Sequence, residues 1–196
     1  FLFNIFVISF ITLFCALGTW QLYRLDWKQD LISTIDQGLT SKPIQYSNKI
    51  NINYQRVILD GKYDLKNQIY LYSLNSKGQP GFDVITPFQT LGGDNILINR
   101  GWIDKEMKNK AEINLIKNNK VQGFLRKIVK KNIFKPENNI EKNVWFSINL
   151  KQIKEITGKN FDNYVVFLED ESITLPNPKK IRIDVPNNHL KYAITW

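Results

Sequence analysis

The stretch FLFNIFVISFITLFCALGTWQLY, Phe1 to Tyr23, contains no Asp, Glu, Lys, Arg or His, and Arg24 is the first charge. An α-helix rises ~1.5 Å per residue and the bilayer core is ~30 Å thick, so about 20 apolar residues span it. Phe1 to Leu22 reaches that length. Its polar members, Asn4, Ser9, Thr12, Thr19 and Gln21, can hydrogen-bond within the helix or at the interface. A secretory signal has a shorter apolar core and small residues at its cleavage site. This run ends instead in Trp20, Leu22 and Tyr23, which predicts a retained anchor. Phe1 is not an initiator methionine, so the natural start is expected upstream, where basic residues would set orientation.

Outside that anchor about 170 residues remain, enough for one domain with a real core. Aromatic residues make up 13% of the chain, as in a packed domain. The net charge of +9 directs attention to anionic lipid or acidic partners. No nucleic-acid motif accompanies it, and nucleic acid is not an expected partner. Cys15 is the only cysteine and lies in the apolar run, which excludes an internal disulfide and a cysteine-built zinc site.

The anchor is predicted to continue as a helix. Leu25, Ile32, Ile35 and Leu39 recur loosely at helical period beside Arg24, Lys28 and Asp30, and Gly38 with Ser41-Lys42-Pro43 stops it. Strand patterns follow: Arg56 to Leu59, closed by an Asp60-Gly61 turn; Gln68 to Leu74; Phe82 to Phe88 after a loop from Asn75 to Gly81; and Ile96-Leu97-Ile98 after the Gly92–Asn95 turn. Lys105 to Asn119 reads as a surface helix or loop. Val121 to Val129 reads as a half-exposed strand, and Asn132 to Asn143 as a loop. Val144 to Ile148 and Tyr164 to Leu168 read as strands, and Lys180 to Val185 alternates apolar and charged residues. Asn149 can cap a short helix with Leu150, Ile153 and Ile156 on one face and Gly158 at its end. The expected class is α+β. A mostly antiparallel β domain with a few helices, 24–191, follows a transmembrane helix, 1–23. Residues 192–196, uncharged and ending in Trp196, read either as the start of a second crossing or as a C-terminal strand. As a second crossing, they would put Trp20 and Trp196 on one membrane face.

The chemistry is bounded by histidine. His189 is the only one, so a His-rich metal site is impossible, and no nucleophile-elbow sequence accompanies it. Neither a dinucleotide fingerprint nor a phosphate-binding loop is present. Glu169-Asp170-Glu171 is the densest acidic cluster and reads as a solvated turn. No catalytic residue is assigned. Imidazole is a good axial ligand for haem iron, and His189 lies within about two helical turns, ~10 Å, of Trp196. The alternative is a hydrogen-bonded or surface histidine that orders the chain at the membrane. The absence of CxxCH excludes covalent haem attachment. In Asn99-Arg100-Gly101-Trp102, Arg100 could bind a carboxylate or propionate bidentately, or sit satisfied at a strand-end turn. Trp20, Arg24 and Trp27 share helical spacing and read first as interface anchors. The basic stretch Arg126-Lys127 through Lys130-Lys131 reads as a solvated face able to touch acidic headgroups.

The run Leu17-Gly18-Thr19-Trp20-Gln21-Leu22-Tyr23-Arg24-Leu25 with Trp27-Lys28 resembles the N-terminal signature of the Surfeit locus protein 1 family. Asn99-Arg100-Gly101-Trp102 resembles its central motif. Phe134-Lys135-Pro136 and Asn143-Val144-Trp145-Phe146 fall where that family has similar residues, and Pro186 through Trp196 resembles the closing motif. These matches run in order over nearly the whole chain. The resemblance implies a non-enzymatic factor in cytochrome c oxidase assembly. Two membrane helices would flank a domain outside the bacterial cytoplasm, or in the mitochondrial intermembrane space. It implies binding of haem a and its insertion into oxidase subunit I, with His189 as iron ligand. In this reading Trp20, Arg24 and Trp196 line or anchor the site, while Arg100 and Trp102 serve the domain's structure. Subunit I, other oxidase assembly factors and membrane lipid are the implied partners, and the bacterial inner membrane (the mitochondrial one in eukaryotes) the implied location. A scaffold for oxidase subunits that binds no haem is the rival reading.

Overall fold

The computed structural model describes residues 1–108, 110, 113, 119–129, 131–170, 173–179 and 187–196. They form two compact units. One holds Phe1–Gln37 with the described C-terminal residues, and the other holds the described residues from Gly38 to 179.

In the first unit, helix α1, Leu2–Thr40, is long and apolar enough to cross a membrane. Its most apolar window is fully exposed, unlike the helix of a soluble core. Its hydroxyls bond inside the helix, Ser9 to the Ile5 carbonyl and Thr12 to that of Ile8, each at 2.8 Å. No water is needed to satisfy them in hydrocarbon. Helix α3, His189–Thr195, begins at His189 and takes in all but Trp196 of the residues read as the start of a second crossing, rather than forming a C-terminal strand.

The second unit is one seven-stranded sheet, ordered β1-β2-β6-β7-β5-β4-β3. The strands are β1 Ile44–Gln45, β2 Arg56–Tyr63, β3 Ile69–Leu74, β4 Pro80–Thr90, β5 Asn95–Asp104, β6 Lys120–Lys127 and β7 Tyr164–Leu168. Among the described residues only β1–β2 and β5–β7 pair in parallel; the other pairings are antiparallel. The class is α+β with an N-terminal helix of membrane-spanning length. Strand β2 pairs with β6 through Arg56–Asp60 and with β4 through Gly61–Tyr63, which closes β2-β6-β7-β5-β4 into a ring. Val57, Leu59, Phe88, Ile96, Ile98 and Val166 pack together in one core cluster. Trp145, with Ile153 of helix α2, Leu150–Thr157, packs on Ile69, Ile85, Leu97 and Val165 in a second.

Three local expectations are corrected. Asp60-Gly61 is not a turn: β2 continues through it to Tyr63. A Cβ on Gly61 would meet the Gln89 carbonyl oxygen at 2.1 Å, so this glycine serves a close strand approach. Asn99-Arg100-Gly101-Trp102 is not a strand-end turn but lies inside β5. Val144 to Ile148 forms only isolated bridges, Leu71 to Trp145 and Asn139 to Val144. There the Asn138 side-chain oxygen takes the N–H groups of Phe146 (2.8 Å) and Ser147 (3.2 Å). Smaller shifts also occur. β4 begins at Pro80, inside the expected loop, and a short 3-10 turn spans Lys105–Met107. Most of the remainder to Asn119, together with Lys130, Glu171 and the Lys180–Val185 alternation, lies outside the described residues.

Candidate functional site

The first unit brings His189 against α1. His189 is half-buried, and its Nδ1 lies 2.8 Å from Oε1 of Gln21, the one buried polar side chain among the described residues of that unit. An amide oxygen accepts only from a protonated nitrogen, so Nδ1 donates in this contact, and in the neutral ring Nε2 is the nitrogen that keeps its lone pair. The same seam continues outward. The Phe14 and Trp196 rings stack with centroids 6.1 Å apart. At Gly18, a Cβ would sit 3.5 Å from the Ala193 carbonyl, an ordinary contact. Phe14, Gly18 and Gln21 are spaced four and three apart, so they share one face of α1.

Trp20 and Arg24 lie off that seam. At ~100° per residue, Trp20 is about 100° round α1 from Gln21 and Arg24 about 60°. The Arg24 guanidinium stands over the Trp27 ring, 4.5 Å from its centroid. The sequence marks Gln21 only as a polar residue able to bond locally. An amide embedded in an apolar run was the available signal, and its partner 168 residues away was not legible.

The second unit holds the other motif. Trp102 pairs with Asp83 and Asn99 with Ile85, so Arg100 and Gly101 together oppose Val84, a β-bulge. Gly101 has φ +127, and a Cβ there would meet the Asn177 carbonyl oxygen at 2.3 Å. Asn177 exchanges two backbone hydrogen bonds with Trp102, at 2.7 and 2.9 Å. Buried Arg100 donates to Gln68 Oε1 (3.1 Å), which also accepts from Thr86. Burial lowers the Arg100 pKa, while Tyr63 and Tyr70 raise it. Asn99 donates to Asp83, which also accepts from Ser73 at 2.7 Å and pairs with Lys179 at 2.8 Å. Asn99 and Arg100 are buried in the sheet's own polar network, while half-buried Trp102 donates its indole N–H to the Ser73 carbonyl at 3.3 Å.

The acidic cluster is engaged as well: Glu169 accepts from Arg56 Nε (3.1 Å) and Nη2 (2.9 Å). Lys108, its pKa lowered by burial, donates to the Lys142 carbonyl. Among the described residues no three His, Cys, Asp or Glu side chains cluster to hold a metal ion.

The sequence model of the SURF1 family matches residues 8–196, from the anchor through the site histidine to Trp196. The chain belongs to the SURF1 family. A SURF1-like protein of Rickettsia conorii is 30% identical over 202 residues, covering 98% of this chain and 84% of the relative. Surfeit locus protein 1 of Takifugu rubripes is 30% identical, with 92% and 85% covered, and that of Homo sapiens 27%, with 92% and 68%. SURF1 membership implies a role in cytochrome c oxidase assembly, in a family of assembly factors rather than of catalysts. With α1, it fits a membrane protein. The donor set also fits a haem. The imidazole has one nitrogen held by an amide, the outer partner usual for a ligating histidine, and the same unit carries the stacked Phe14–Trp196 pair.

Proposed function

We propose that this SURF1 family member binds haem a at the seam of α1 and α3 and assists its insertion into oxidase subunit I. The observation that carries the reading is the Gln21–His189 hydrogen bond at 2.8 Å. When bound, haem supplies an iron that takes an axial nitrogen. His189 would hold it through Nε2, because Nδ1 is committed to Gln21 and its ring plane is thereby fixed. Trp20 and Trp196 would line the apolar surround, with Phe14 behind Trp196 keeping water from that side. Arg24 would offer its planar fork of donors to a propionate. Arg100 and Trp102 would act on the sheet unit alone. The reading places the chain in the bacterial inner membrane with its sheet unit toward the periplasm, or in the mitochondrial inner membrane, working with subunit I and other assembly factors. No catalytic step is assigned.

The test is an absorption spectrum of the full-length protein purified from cells that make haem a, beside His189→Ala. The expected result is a haem a spectrum in the wild type that disappears in the variant while far-ultraviolet dichroism is unchanged. Absence of haem from both, with subunit I still co-purifying, would replace this reading with a scaffold that carries no haem.

A further inference from the structure

We propose that the turn Asn132–Lys135 docks the sheet unit on a bilayer surface of anionic phospholipid, with Ile133 and Phe134 entering the interface. Neither the oxidase role nor the haem reading uses this turn, and the proposal rests on neither.

The turn is built, not frayed. Lys135 donates its backbone N–H to the Asn132 carbonyl at 3.0 Å, and Phe134 donates its own to the Asn132 side chain at 3.1 Å. Both flanks are tied to the sheet unit. Ile128 N donates to the Asn163 carbonyl at 2.8 Å, and the Asn138 amide donates to the Ser147 carbonyl at 3.0 Å. On this base the two central positions carry Ile133 at 88% exposure and Phe134 at 85%, with Val129 at 82% nearby. Central turn positions favour Gly, Pro, Asn, Asp and Ser, each for a backbone reason. A branched aliphatic and an aromatic there answer no local need, and three such exposed side chains in ten residues mark an interaction surface.

The charge around them identifies the partner. Lys131 and Lys135 bracket the apolar pair, all exposed. A neighbouring surface cavity of about 560 Å³ is lined by Lys127, Lys131 and Lys151 together with Ile148 and Leu150. Within this group Lys131 forms an ion pair with Glu137. Apolar tips ringed by lysines match the headgroup–acyl boundary of an anionic leaflet, where ammonium groups meet phosphates and the rings sink below them. The chain's own α1 is long enough to cross a bilayer, so such a surface stays at high effective concentration.

The experiment uses the full chain in lipid nanodiscs, with Cys15→Ser and Phe134→Cys carrying an environment-sensitive fluorophore. Discs of phosphatidylcholine alone are compared with discs containing phosphatidylglycerol. The expected result is blue-shifted emission, several-fold brighter, in the anionic discs and quenched by doxyl-labelled lipid. Lys131→Gln with Lys135→Gln should abolish the shift. The same label at Lys77→Cys, in the Asn75–Gln79 turn, should stay water-like. Water-like emission from position 134 in both discs would overturn the proposal. So would an equal shift at position 77. A blue shift insensitive to doxyl lipid would overturn it too, and assign the turn to a protein partner.

Discussion

Gln21 is an amide on a helix otherwise suited to lipid, and such a group costs free energy there unless it is bonded. Its bond to His189 resolves that cost and, in the same contact, selects the histidine tautomer. A metal-bound imidazole is made more basic and held in plane by the acceptor on its second nitrogen. On the proposed haem a reading, Gln21→Ala is expected to keep His189 as ligand and weaken binding by about 10- to 100-fold, the usual loss for such outer partners. Gln21→Glu, which retains an acceptor, is expected to restore much of the affinity and lower the midpoint potential. Haem titration followed by redox potentiometry reads both. Unchanged affinity in Gln21→Ala would reduce the contact to helix packing. Of the residues at this seam, chemistry and motif single out His189 and Trp196 from the sequence alone. The pairing of a residue in the first helix with one in the last was not, since no local pattern encodes a contact across 168 positions.

Elements were legible where their determinants are local. α2 is fixed by its own ends: Asn149 accepts from Lys151 N at 3.1 Å, and Gly158 closes the helix at φ +71. The extent of β2 and β5 was not, because glycines that usually signal turns here serve strand crowding. The clearest case is Gly101. It combines a positive φ with the Asn177 carbonyl where a Cβ would stand, and it aims Arg100 and Trp102 to opposite faces of β5. Gly101→Ala is expected to destabilise the protein by about 2–4 kcal/mol, from backbone strain and overpacking together. The measurement is the urea midpoint of the detergent-solubilised chain. Gly93→Ala should be milder: its φ is also positive, but a Cβ there meets nothing within 4 Å. Equal losses at the two glycines would show that the Asn177 approach contributes little. Val144–Ile148 failed as a strand for a complementary reason. Its composition suits a ladder, but the Asn138 side chain takes two of its N–H groups before any neighbouring strand can.

At the scale of the whole molecule, charge and burial together set how the sheet unit responds to pH. Tyr63 is pushed from 10.0 up to about 12, chiefly by burial; Arg100 opposes the rise and Asp170 adds to it. Tyr46 moves the same way, through burial and the hydrogen bond it donates to Asp162 at 2.8 Å. Both phenols hold their protons more tightly folded than unfolded. Between the unfolded and folded values the unfolded chain therefore binds fewer protons, and stability falls as pH rises. The contribution is intact below about pH 10 and lost progressively toward about pH 12. For Tyr63 alone the limit is about 3 kcal/mol, at ~1.4 kcal/mol per pH unit of separation. Lysines also titrate in that window, so the informative comparison is Tyr63→Phe against the wild type. Removing the phenol is expected to flatten the alkaline limb of the urea midpoint while leaving its neutral value within about 1 kcal/mol, since only a partly buried hydroxyl is lost. Parallel alkaline limbs in the two proteins would mean that Tyr63 ionises as freely in the fold as outside it.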